Sequence, residues 1–274
     1  MKQDWFLYGL KDTIKKVMKM KWTLITGATG GLGHAFCKQY ASTGCNLLLQ
    51  GRSFEQLGAL KTQLLKEYSV QIEVSVCDFT QNESFSEFCE FLENYEIERL
   101  ICNAGFGSFG LFSESDINHM IQMHQVNMDT LMKLNHLVVC DHAESIKEII
   151  NVASTASFQP GPWMSVYYAT KAYVLSFSQA LSIELKSKGI KVCTLCCGPM
   201  ETNFSKRAQL KHTWMQKIVM VTPEFAVKCA MKGLKKGKST VVPGFLNQVI
   251  VLVSSCMPSM LQLWIMEFIQ SKRK

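Results

Sequence analysis

A chain of 274 residues with 47% hydrophobic and 19% charged residues is long enough for one large domain with a full core, and its composition excludes disorder and multiple membrane spans. The net charge of +7 gathers at Lys11, Lys15, Lys16, Lys19 and Lys21, at Lys232, Lys235, Lys236 and Lys238, and at Lys272, Arg273 and Lys274. No basic stripe with interleaved aromatics crosses the middle of the chain, which argues against nucleic acid as a partner.

Residues 1–20 place Leu7, Leu10, Ile14, Val17 and Met18 on one helical face, with the lysines over much of the rest. This reads as a basic amphipathic helix added to the main domain, docked on that domain, on a partner subunit or on a membrane surface. The first residues lack the apolar run and cleavage site of a secretory signal. Eleven cysteines form an odd set, several within apolar runs, so the expected location is a reducing cytoplasm, with membrane association as the alternative.

From 21 to 243, short apolar runs alternate with helix-period segments. Strands are expected over 23–26, 46–50, 72–77, 99–102, 148–152, 191–196 and 240–242, and helices near 32–43, 54–68, 82–95, 114–142, 163–188 and 223–236. That order predicts a single α/β domain, a doubly wound, seven-stranded parallel sheet flanked by helices. Cys193 and Cys196 have CxxC spacing but fall in a strand-like run with no matching pair and no His cluster, so no metal site is expected. Residues 244–274 read as an apolar helical extension of the same domain. No charge occurs over 239–266, but Asn247, Gln248, Ser254, Ser255, Pro258 and Gln262 interrupt the run, which favours two short amphipathic helices over a membrane span.

The chemistry begins where the first strand meets Thr26-Gly27-Ala28-Thr29-Gly30-Gly31-Leu32-Gly33. Glycines there permit a tight turn and close backbone approach to a pyrophosphate, and the following helix N-terminus offers its N–H groups and positive dipole end. A carboxylate at the end of the second strand would hydrogen-bond the ribose of NAD. The run Leu49-Gln50-Gly51-Arg52-Ser53 has none, and Arg52 is able to pair with a 2′-phosphate, so NADP is favoured over NAD. Further on, Tyr167 and Lys171 are four residues apart, on one side of a helix, where an ammonium stabilises a phenolate. Ser154 precedes Tyr167 by thirteen residues, at a strand end; Ser157 and Tyr168 are rivals at less suitable spacing.

These motifs, in this order, resemble the short-chain dehydrogenase/reductase family over about residues 21–243, from T-G-x-x-x-G-x-G through Y-x-x-x-K to a run like P-G-x-x-x-T. The resemblance implies a Rossmann fold and assigns Tyr167 as catalytic acid, Lys171 as its partner and Ser154 as holder of the substrate carbonyl. It implies that Asn127 supports Lys171 through an ordered water. It also implies that Thr26, Gly27, Thr29, Gly31, Leu32, Gly33, Arg52, Ser53, Asp78, the Asn103-Ala104-Gly105 motif, Tyr167, Lys171, Gly198, Pro199 and Thr202 contact the cofactor. Asp78 would meet the adenine and Thr202 the nicotinamide carboxamide; Cys197 stands where the family's P-G-x-x-x-T has proline. The implied activity is NADP(H)-dependent reduction of a small-molecule carbonyl, or oxidation of its alcohol, by a homodimer or homotetramer. Apolar residues such as Phe158, Trp163, Met164, Met200, Phe204, Trp214 and Met215 point to a hydrophobic substrate. The rival readings are a non-catalytic NADP-binding regulator and a membrane-associated lipid or 3-ketoacyl reductase.

Overall fold

The computed structural model describes residues 20–201 and 214–272. The expected N-terminal helix, Thr202 and Phe204 lie outside the described residues. Strands β1 (Lys21–Ile25), β2 (Asn46–Gly51), β3 (Ile72–Val76), β4 (Glu96–Cys102), β5 (Glu148–Ser154), β6 (Lys191–Cys197) and β7 (Thr240–Val241) form one seven-stranded sheet. Its order is β3-β2-β1-β4-β5-β6-β7, and each neighbouring pair is parallel. The chain leaves β1 towards β2 on one side and returns to β4 on the other, so a crevice opens at the carboxyl ends of β1 and β4.

Helices α1 (Gly31–Ala41), α2 (Phe54–Glu67), α3 (Asn82–Leu92), α4 (Ile117–His124), α5 (Thr130–Cys140), α6 (Ser165–Glu184), α7 (Trp214–Val219), α8 (Pro223–Lys235), α9 (Phe245–Cys256) and α10 (Ser259–Ser271) complete the chain. The strands read as unbroken apolar runs because both sheet faces are covered. In β2, Leu47 and Leu49 point into the layer formed with α1, α2 and α8, whereas Leu48 points into the opposite layer with α3, α5 and α6. Each such leucine, fully buried, contributes about 1.5–3 kcal/mol of transfer free energy. The same alternation sends Cys193 into the first layer and Cys196 into the second. Their CxxC spacing therefore places the two thiols on opposite faces of β6, and all eleven cysteines are free.

The long helix expected over 114–142 is divided. A short 3-10 turn covers Phe112–Glu114, α4 starts only after Asp116 caps Asn118 N–H at 3.0 Å, and a π-helical segment, Gln125–Asp129, separates α4 from α5. The reason is tertiary: Asn127 within this segment is tied to the main chain of Phe106 on another part of the fold. The helix expected from 163 begins at Ser165, since Pro160-Gly161-Pro162 precedes it and Trp163 has a left-handed φ of 61°.

Candidate active site

At the carboxyl end of β1, Thr26 and Gly27 bind the end of β4. Asn103 Nδ2 donates to the carbonyls of Thr26 (2.9 Å) and Gly27 (3.0 Å), and the Asn103 and Ala104 N–H groups both donate to Thr26 Oγ1 at 3.0 Å. Gly27 has φ +62°, and a Cβ there would meet the Ala104 Cα at 3.0 Å. A Cβ on Gly33 would collide with the Gly27 carbonyl, so α1 packs directly on the turn. No side chain caps the start of α1 at Gly30 and no acid lies in its first turn. The α1 N–H groups and dipole thus face a glycine cradle suited to phosphates, and Thr29, Gly31 and Leu32 line that terminus.

Sequence reasoning missed Gln50. Its Oε1 accepts from Gly27 N–H at 2.9 Å and its Nε2 donates to the Cys77 carbonyl at 2.7 Å, bracing the turn against the end of β3. The signal was a lone polar residue at the end of a buried strand. Arg52 follows with an exposed side chain, and Ser53 accepts from Gln56 N–H at 3.3 Å to cap α2. Asp78 Oδ1 accepts from Thr80 N–H and Oγ1 at 3.0 and 2.9 Å, which fixes the loop after β3 beside the same cradle.

One strand away, the catalytic candidates meet. Tyr167 and Lys171 are buried on α6, with Lys171 Nζ 5.9 Å from the Tyr167 ring centre. Ser154 ends β5 and hydrogen-bonds Tyr167. Lys171 Nζ donates to the Val152 carbonyl at 3.0 Å. Asn127 accepts from Phe106 N–H at 3.0 Å and donates to the Phe106 carbonyl (2.9 Å) and Thr170 Oγ1 (3.1 Å). Gly105 joins the two halves of the site, because a Cβ there would lie 2.9 Å from Asn127 Oδ1 and 3.5 Å from Lys171 Nζ. Burial lowers the Lys171 ammonium to about 8, with the neighbouring Cys197 and Cys196 thiols pulling it up. Burial pushes the Tyr167 phenol above its ordinary value, against the direction acid/base work near neutrality needs, while the Ser154 hydrogen bond pulls it down.

The two rivals have other uses. Ser157 Oγ donates to the Lys171 carbonyl at 2.7 Å, and the Tyr168 hydroxyl accepts from Gln270 Nε2 at 3.0 Å on α10. Gly198 follows β6 and packs on Asn247 of α9, where a Cβ would meet the amide at 2.7 Å; Pro199 accepts from Val221 N–H at 3.4 Å. Asn247 in turn donates to the Val219 and Pro243 carbonyls, both at 2.9 Å, so α9 anchors the described part of the loop after β6. Beyond Tyr167, a cavity of about 390 Å³ is lined by Leu111, Phe112, Trp163 and Leu263, among others.

A glycine cradle at the switch point, one strand from buried Tyr167 and Lys171 and half-buried Ser154, is the arrangement of a dinucleotide-dependent oxidoreductase. The chain belongs to the short chain dehydrogenase family, whose profile matches residues 21–213. The mouse (Mus musculus) 17-beta-hydroxysteroid dehydrogenase type 3 is 32% identical over 200 residues, 70% of this chain and 64% of that relative, so the match spans less than two thirds of the mouse enzyme. The bovine (Bos taurus) very-long-chain 3-oxoacyl-CoA reductase is 29% identical over 247 residues, 88% of this chain and 77% of that one. A solved short-chain dehydrogenase from Sphingobium yanoikuyae in complex with NADPH is 27% identical, with TM-score 0.76, covering 87% of this chain and 97% of that one.

Proposed function

We propose that the protein reduces the carbonyl of an apolar substrate with NADPH, using Tyr167 as the proton donor. The observation that carries this reading is the group of half-buried Ser154 with buried Tyr167 and Lys171, held beside Gly105 at the edge of the glycine cradle. NADPH, held at the glycine turn and the α1 N-terminus, would supply the hydride that the carbonyl carbon receives. The Ser154 hydroxyl orients the carbonyl oxygen. Tyr167 Oη gives that oxygen its proton, and Lys171 stabilises the phenolate left behind. Asn127, its amide already engaged by Phe106 and Thr170, is a positioning residue that sets where α6 and the β4 end meet. By its place in the family pattern, it would also hold the ordered water that links Lys171 to solvent.

Exposed Arg52 just after β2, in a run 49–53 with no carboxylate, supports NADPH over NADH, as does the NADPH held by the 27% identical bacterial structure. The apolar cavity walls support a hydrophobic substrate, and the named activities of the mouse and bovine relatives point to a steroid-like or long-chain acyl ketone. Exposed Ile117 and Ile121 on α4 and Met132 on α5 support a homodimer or homotetramer. Eleven free thiols support a reducing cytoplasmic setting.

Replacing Tyr167 with phenylalanine removes the proton donor and leaves the cradle untouched. Tyr167→Phe is expected to lower ketone-dependent NADPH oxidation by roughly 10²–10⁴-fold while NADPH still binds, read by fluorescence titration. Unchanged turnover in this variant would remove Tyr167 from the mechanism.

A further inference from the structure

The two C-terminal helices are turned inside out. In a helix docked on a water-soluble domain, apolar residues face the domain and polar ones face water. Here the reverse holds. Phe245 (76% exposed), Leu252 (65%), Met260 (77%) and Trp264 (67%) project outward from α9 and α10, whereas Asn247 (3%) and Gln270 (1%) point inward. Beside the buried Met266, the inward contacts are polar. Asn247 holds the Val219 and Pro243 carbonyls, Ser254 Oγ donates to Gln159 Oε1 at 2.8 Å, and Gln270 donates to the Tyr168 hydroxyl. Scattered exposed apolar residues are ordinary; a contiguous apolar face over two helices, held in place by polar anchors, is not.

Charge identifies what covers this face. The chain has no charged residue over 239–266; exposed Lys235, Lys236 and Lys238 precede the stretch, and one exposed acid, Glu267, and then Lys272-Arg273-Lys274 follow it, so the flanks are basic in balance. Lys272 Nζ sits 4.0 Å from the Phe268 ring centre, at the border of the apolar face. An apolar face with Trp and Phe, rimmed by lysines, matches the interface of an anionic bilayer, where side chains sink to the acyl boundary and ammonium groups meet lipid phosphates. No helix among the described residues is long and apolar enough to cross a membrane, so the contact is one of lying on the surface.

We infer that α9 and α10 form a surface by which the protein docks on an anionic lipid bilayer. The docking face reaches the active-site side of the fold. Leu263 of α10 lines the cavity with Leu111, Phe112 and Trp163, and Phe112 and Trp163 also border the narrow space that touches Tyr167. On the reading of the site as a ketone reductase, this lets an apolar substrate pass from lipid to Tyr167 without crossing water; the docking itself does not depend on that reading.

The test uses the full chain, centrifuged with phosphatidylcholine vesicles with or without phosphatidylserine, beside the Leu252→Glu/Trp264→Glu double variant. The wild type is expected to sediment with the serine-containing vesicles and to be released by salt, and the double variant to stay in solution while still binding NADPH. No sedimentation of the wild type overturns the proposal. So does equal binding by the double variant, or a dimer that the double variant disperses in the absence of vesicle binding, which would make the face a contact between copies. Trp264→Phe, a mild change, supplies a second reading: brominated lipid should quench wild-type tryptophan fluorescence much more than that of the variant. Equal quenching would place the lipid contact elsewhere. NADPH oxidation with a soluble ketone is measured separately, so failure of docking and failure of catalysis are distinguishable.

Discussion

Lys171 is the residue whose surroundings oppose its charge most directly. It is buried, with one hydrogen bond to the Val152 carbonyl, and its folded-state value falls from 10.5 to about 8. Between those two values the unfolded chain binds more protons than the folded one, so this group's contribution to stability rises as pH rises through that window. Lys171→Met keeps the aliphatic stem and removes the titration. Thermal melts at about pH 7 and about pH 9.5 should show the wild type gaining on the variant as pH rises. A stability difference that stays flat between the two would mean that the ammonium is not desolvated. The pair Tyr167 and Lys171, with Ser154 upstream, was legible because its members are close in sequence and share one helix and one strand end. Gln50 was not, because what gives it meaning is the amide of Gly27, twenty-three residues away, and the carbonyl of Cys77.

The elements follow the same division between local and tertiary causes. The glycine turn and α1 were legible because Gly27 needs a positive φ and Gly33 leaves room for the Gly27 carbonyl, both of which only glycine supplies without strain. The π segment at Gln125–Asp129 was not, since periodicity there continues as an ordinary helix and the break comes from Asn127 reaching Phe106. Asn127→Ala would orphan the Phe106 N–H and carbonyl, at roughly 1–3 kcal/mol for each group left unpaired. The expected result is a fall of about 2–6 kcal/mol in unfolding free energy from urea titration. A loss below about 0.5 kcal/mol would show that the segment holds its shape without this side chain.

At the scale of the whole molecule, the sheet order places three things at its carboxyl edge: the cradle after β1, the Ser154 end of β5 and the loop after β6. Alternating apolar runs made the succession of strands and the doubly wound class readable from the chain; their order across the sheet came from the structure. Why α9 and α10 hold polar side chains inward and apolar ones outward was not readable, because the sequence shows only that the stretch lacks charge. Asn247, Ser254 and Gln270 look like interruptions of an apolar run until their partners Val219, Gln159 and Tyr168 are in view. The activity proposed for this sheet edge is hydride transfer to an apolar ketone. It is tested most directly by following NADPH consumption by the purified protein across a panel of steroid ketones and long-chain 3-oxoacyl thioesters. Ketone-dependent loss of NADPH is expected with an apolar member of the panel, with a weaker response to NADH; absence of turnover with every member, despite tight NADPH binding, would contradict the proposed activity.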